Sequence, residues 1–138
     1  MFGLTTREVL TKAIVNVSNE CIGGFIQAID DNFDEMNDLL YENLRTVYFD
    51  TVANIVISGF REKSPTIYYK IQLELVSPTA GGYDIDVTKG LPAGKLYAIC
   101  YYAIKGKPAK PADCIKLNHL QYDILDKALC KAFKNKEK

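Results

Sequence analysis

From Phe25 to Val47 the apolar residues Phe25/Ile26, Ile29, Phe33, Met36, Leu40, Leu44 and Val47 recur at steps of three and four. Only a helix brings such positions onto one stripe. Asp31, Asp34, Glu35, Asp38 and Glu42 fall on the opposite side, so the pattern predicts one amphipathic helix over 25–49 with its carboxylates in water. A shorter helix is predicted over 5–21, where Thr5 caps with Glu8 and Val9/Leu10, Ala13/Ile14, Val17 and Cys21 continue the step. Gly23-Gly24 is poor helical sequence and marks a break or a kink between the two.

Beyond residue 51 the pattern changes. Val52, Ile55, Val56 and Ile57 crowd β-branched side chains into 52–58, and the polar Arg61-Glu62-Lys63-Ser64-Pro65 then reads as a hairpin turn. Ile67, Tyr69, Ile71, Leu73 and Leu75 alternate with Tyr68, Lys70, Gln72 and Glu74, as a strand wet on one face requires. Loops are expected at 77–82 and 89–94, with a short edge strand Tyr83–Val87 between them. Residues 95–105 are apolar or aromatic on both faces and read as a central strand covered on both sides. Residues 113–117 suit a strand or a helical turn, and Asn118 with Gln121 caps a last helix over 119–134. The expected fold is α+β: two N-terminal helices, an antiparallel sheet of four or five strands over 52–117, and a C-terminal helix packed on the sheet.

The chain has 138 residues, 48% of them apolar and 25% charged, which suits one domain with its own core. Seventeen basic residues balance seventeen acidic ones, so the molecule as a whole exerts no long-range pull on polyanions. That balance hides a partition: residues 1–60 carry nine acidic and three basic residues, and residues 61–138 carry eight and fourteen. Charge interrupts every apolar run before it could span a bilayer, and the first residues lack the basic and apolar regions of an export signal. The expected location is the cytoplasm. Cys21, Cys100, Cys114 and Cys130 show no paired Cys-x-x-Cys spacing and are expected to be buried, reduced thiols. Asn16-Val17-Ser18 matches a glycosylation triplet that matters only on a secretory route.

No motif completes a catalytic or metal site. Asp30, Asn32, Asp34 and Asp38 match positions 1, 3, 5 and 9 of a calcium loop, but Glu35 stands where glycine is needed and Tyr41 where the bidentate glutamate is needed. A helical stripe running through the segment argues against a loop as well. Gly90-Leu91-Pro92-Ala93-Gly94-Lys95-Leu96 is one residue short of a phosphate loop, lacks its Ser/Thr, and is expected to lead into a strand. His119, the one histidine, is a capping or solvated residue unless it touches Cys114 or Cys130. Asp84 and Asp86 share one face of the edge strand, where charge guards against pairing with other chains.

Two broader features carry the functional expectation. The carboxylates Asp31, Asp34, Glu35, Asp38 and Glu42 offer a row that a basic partner surface could accept. There are nine tyrosines and no tryptophan, which suits interfaces as well as half-buried sheets. The expectation is a non-enzymatic protein–protein interaction module of inhibitor, immunity or adaptor type, working as a homo-oligomer, with no cofactor and no metal. The alternative is a small-molecule binder or minor enzyme whose pocket lies between sheet and helices, lined by Tyr97 and Tyr101, with Cys100 facing away. Nucleic acid comes third: Lys105, Lys107, Lys110 and Lys116 cluster near aromatics, but the acidic half mixes the field.

Overall fold

Thr5 opens the first helix as expected, its extended backbone letting the Oγ1 accept the Glu8 N–H at 3.1 Å. In the computed structural model, which describes residues 3–76 and 90–136, this helix, α1, covers Thr6–Asp31. It runs straight through Gly23-Gly24. Both glycines are exposed, and Phe25 and Ile29 beyond them continue the buried row of Leu10, Ile14 and Ser18, so packing on either side outweighs the weak local preference. The predicted helix over 25–49 is instead cut at 32–37. Asn32 closes α1, its Nδ2 donating to the Ala28 carbonyl at 2.8 Å, and a 3-10 turn follows at Phe33–Glu35. Asn37 then caps α2 (Asp38–Lys63) by accepting the Leu40 N–H at 2.9 Å.

Among the described residues there is no strand, and the expected α+β fold is corrected to an all-helical one. Each misread segment has its own physical reason. The buried pairs Tyr48/Phe49, Val52/Ala53 and Val56/Ile57 of α2 repeat at four residues, so the β-branched run 52–58 continues a helical row that begins before it. Ser64 ends α2, and Pro65 starts α3 (Pro65–Val76) at the position where a missing N–H costs nothing. In α3 the alternating residues sort by steps of four: Ile71 is buried with Ile67 and Leu75 packed against the core, while Tyr69 and Leu73 are exposed. Period two and period four coincide at every second alternate residue, which is how a helix imitates a wet strand here.

The run 95–105, expected as a central strand, is helix α4 (Ala93–Lys105), mostly buried through Cys100 and Ala103, with Lys95, Tyr101, Tyr102 and Ile104 half-buried and Lys105 exposed, and it touches each of the other four helices. Gly106 closes it in a left-handed conformation, its N–H bonded to the Tyr102 carbonyl at 2.8 Å. The last helix, α5 (Pro111–Lys136), takes in 113–117 and starts eight residues earlier than the predicted 119. Cys114, Leu117, Gln121, Leu125 and Leu129 form its buried row. The predicted loop at 77–82 and the edge strand Tyr83–Val87, with Asp84 and Asp86, lie outside the described residues.

Contacts fix the directions. Arg7 meets Asp113 and Phe33 stacks near Phe133, so α1 and α5 run parallel; Tyr48 bonds Ser18 and Phe25 meets Tyr41, so α2 returns antiparallel to α1. The four helices α1, α2, α4 and α5 are tied by one buried polar relay. The Ala93 N–H donates to Gln121 Oε1 at 2.8 Å, Gln121 Nε2 donates to Ser18 Oγ at 3.4 Å, and the Tyr48 hydroxyl donates to the Ser18 carbonyl at 2.9 Å. The Gly94 N–H donates to Asn118 Oδ1 at 2.8 Å. Asn118 and Gln121 therefore do cap a helix, but it is the start of α4 rather than of their own helix. Gly94 is required there, because a Cβ would collide with the Cys114 carbonyl oxygen and the Asn118 amide.

Candidate functional site

The expected row of carboxylates lies at one end of the bundle, around the corner between α1 and α2. Asp31 is the last residue of α1, Asp34 and Glu35 lie in the 3-10 turn, and Asp38 and Glu42 occupy the first two turns of α2. All five are exposed, but they share a turn, not one helical face. Asp38 sits where the partial positive charge of a helix N-terminus favours it. Asp31 accepts a hydrogen bond from Gln27 Nε2 at 2.8 Å. Glu42 is committed within the chain, since both its oxygens accept from the Arg45 guanidinium at 2.7 and 2.6 Å. That guanidinium also lies 5.8, 6.0 and 5.6 Å from the ring centroids of Tyr41, Phe49 and Tyr122.

Apolar side chains stand among these acids. Leu39 is 72% exposed, and Phe33 and Phe133, 41% and 42% exposed, bring their ring centroids to 5.8 Å. Sequence periodicity placed Phe33 in a core stripe and so missed this pair; the signal for the corner was present in Asn32 and Asn37, both good caps.

Tyr97 and Tyr101 do share a face, as four residues on α4 rather than as alternate positions of a strand. Their ring centroids are 5.7 Å apart at 32°. With Thr5, Arg7, Glu8, Lys110 and Asp113 they line a cleft of about 230 Å³ where the starts of α1 and α5 meet α4. Tyr97 is fully buried, and its hydroxyl has no hydrogen-bond partner among the described residues. Burial, reinforced by nearby Asp113, pushes this phenol up to about 12. Arg7 and Asp113 face each other across the cleft at 3.6 Å. Neither residue was singled out from the sequence, because positions 7 and 113 become neighbours only when the two helices pack.

Cys100 is buried and does not line the tyrosine cleft, but on a helix it stands only three positions from Tyr97, so the opposite faces expected of a strand do not apply. Burial holds its thiol up at about 12 and that of Cys114 at about 11, so neither is a thiolate near neutrality. The expectation of four buried thiols fails at Cys130, which is exposed, and at half-buried Cys21. His119 is exposed on α5 while Cys114, five residues back, is buried on another face, so they form no dyad.

The calcium-loop segment is not a continuous helix, which removes one reason for setting it aside. Glu35 and Tyr41 still occupy the wrong places, and among the described residues no group of three His, Cys, Asp or Glu side chains could hold a metal. Likewise a helix, not a strand, follows Gly90–Leu96. Its first amides at Ala93 and Gly94 are already bonded to Gln121 and Asn118, so they have nothing left for a phosphate. The lysines Lys105, Lys107, Lys110 and Lys116 are all exposed around the α4–α5 connection, at the opposite end from the acidic corner.

Compared with protein-family models, with curated proteins and with solved structures, the chain matches none.

Proposed function

We propose that this chain is a non-enzymatic interaction module that docks its acidic α1–α2 corner on a basic surface of another protein. The observation that supports it is the exposed Leu39 and Phe33–Phe133 group standing among Asp31, Asp34, Glu35 and Asp38. Apolar anchors within a charged rim are the anatomy of a protein interface: the anchors supply affinity, and the rim supplies orientation and association rate. Glu42, paired with Arg45, contributes shape rather than free charge.

Self-association fits the same surface pattern, since Tyr69, Leu73 and Val76 leave a further exposed apolar row on α3. A sedimentation mass at the monomer value throughout the micromolar range would remove that part. A cytoplasmic location goes with the reading: Cys100 and Cys114 are single buried thiols of the kind a reducing compartment preserves. No described helix is long and apolar enough to cross a membrane.

The test is affinity capture from extracts of the source cell at low and high salt, comparing the natural chain with the Asp34→Lys, Asp38→Lys double variant. A protein retained at low salt, released at high salt and lost with the variant is expected, with helicity and melting temperature preserved. Capture that is the same for both chains would overturn the proposal.

A further inference from the structure

Tyr97 presents an unusual combination: a fully buried ring that lines a cleft, with a hydroxyl closed to solvent that has no hydrogen-bond partner among the described residues. The charged or polar groups that bear on its phenol oxygen are Asp113, Tyr101, Cys114 and Arg7, and three of these four line the cleft. In the unliganded fold the oxygen is closed to solvent, behind the wall that Arg7, Tyr101 and Asp113 help to form, so a ligand reaches it only as a lining side chain turns aside. A buried O–H is nearly always satisfied, so an orphaned donor beside a cavity marks a place for an acceptor. Elsewhere in the core this chain obeys that rule: the Tyr48 hydroxyl, equally deep, bonds the Ser18 carbonyl at 2.9 Å.

We propose that the cleft where the starts of α1 and α5 meet the middle of α4 binds a small aromatic carboxylate, with its carboxylate at the Tyr97 hydroxyl and its ring against Tyr101. Arg7 and Lys110 supply cations at the rim. Two acids, Glu8 and Asp113, line the same cleft, so the field favours a monoanion over a phosphate dianion. A volume of about 230 Å³ suits a single-ring molecule, and half-buried Tyr101 offers an aromatic face beside the polar floor. The phenol remains protonated through the physiological range, as a donor to carboxylate must. Arg7 is the mobile element: its side chain is 57% exposed and it meets Asp113 only at 3.6 Å, a separation that leaves it free to turn toward an incoming anion.

Calorimetric or NMR titration of the full chain with benzoate, benzamide and inorganic phosphate tests this. Benzoate is expected to saturate one site, benzamide to bind about tenfold more weakly for want of a charged acceptor, and phosphate not to compete. Tyr97→Phe separates a ligand role from a structural one. It should weaken benzoate binding about tenfold or more while leaving the melting temperature of the unliganded protein unchanged or raised, because it removes a donor that the fold does not satisfy. Arg7→Gln should weaken benzoate as well and leave the melting temperature unaltered. Absence of saturable benzoate binding would overturn the proposal, as would equal binding by Tyr97→Phe or effective competition by phosphate. A clear fall in the melting temperature of unliganded Tyr97→Phe would show that the fold already satisfies the hydroxyl and would overturn it too.

Discussion

At the α1–α2 corner, and at the junction where the body of α5 meets the start of α4, a helix begins with its first amides satisfied by opposite means. At the corner the caps are local: Asn32 reaches Ala28 four residues back, Asn37 reaches Leu40 three residues on, and Asp31, Asp34, Glu35 and Asp38 around them are exposed. At the junction the first amides of α4 are satisfied from 28 and 24 residues away, and Gln121 reaches Ser18 across 103. A local cap can be lost with only its own helix end at stake. A long-range cap is shared by several helices, so its loss is felt by the whole core.

The comparison is easiest to break at Gly94. Adding a methyl group there forces the backbone of α5 away, and Gly94→Ala is expected to cost about 3 kcal/mol or more in urea unfolding. Gln121→Ala comes next, at about 2–3 kcal/mol, since it opens a cavity and strands the Ala93 N–H. Asn37→Ala, at the local corner, should cost about 1 kcal/mol, measured the same way. Gly24→Ala reverses the sign: its added Cβ meets nothing, so thermal unfolding should show a gain of about 0.5–1 kcal/mol. If Gly94→Ala and Gly24→Ala behaved alike, the close α4–α5 contact would be wrong.

The smallest effect at ordinary pH grows only in alkali. Cys100 and Tyr48 are neutral in the fold, and burial raises both from 9.0 and 10.0 to about 12. A raised acid keeps its full contribution to stability below the unfolded value and loses it as pH climbs toward the folded one. Melting temperature should therefore begin to fall above about pH 9. The Cys100→Ala variant should fall less steeply above about pH 9, since Cys114 still loses its contribution there while the larger one from Cys100 is gone; an unchanged slope would count against a buried thiol at position 100.

Much of the helical content was legible, and its misreadings are instructive. Thr5 with Glu8 announced α1, and Gly106 after Lys105 marks the end of α4. The α3 segment deceived because Ile67, Ile71 and Leu75 satisfy both a strand's alternation and a helix's step of four. The α4 segment deceived because its more exposed side carries Tyr101 and Tyr102 as well as Lys95 and Lys105, so apolar and aromatic residues leave little polar contrast from which to read a period. For the candidate sites, the acids and the tyrosine pair were visible as residues, whereas the Phe33–Phe133 contact and the Arg7, Lys110 and Asp113 surroundings of Tyr97 were not.

Local chemistry in the amino-acid order was enough to determine where α1 starts and which residues of 25–49 are apolar. Only tertiary packing decided that 52–63, 65–76 and 93–105 are helical, that Asn118 and Gln121 serve α4, and that one tyrosine hydroxyl beside a cleft has no partner among the described residues. The reason is range. Caps and periods act within a turn of chain, while burial and long-range hydrogen bonds depend on which helices meet, and that choice is made by the whole core at once.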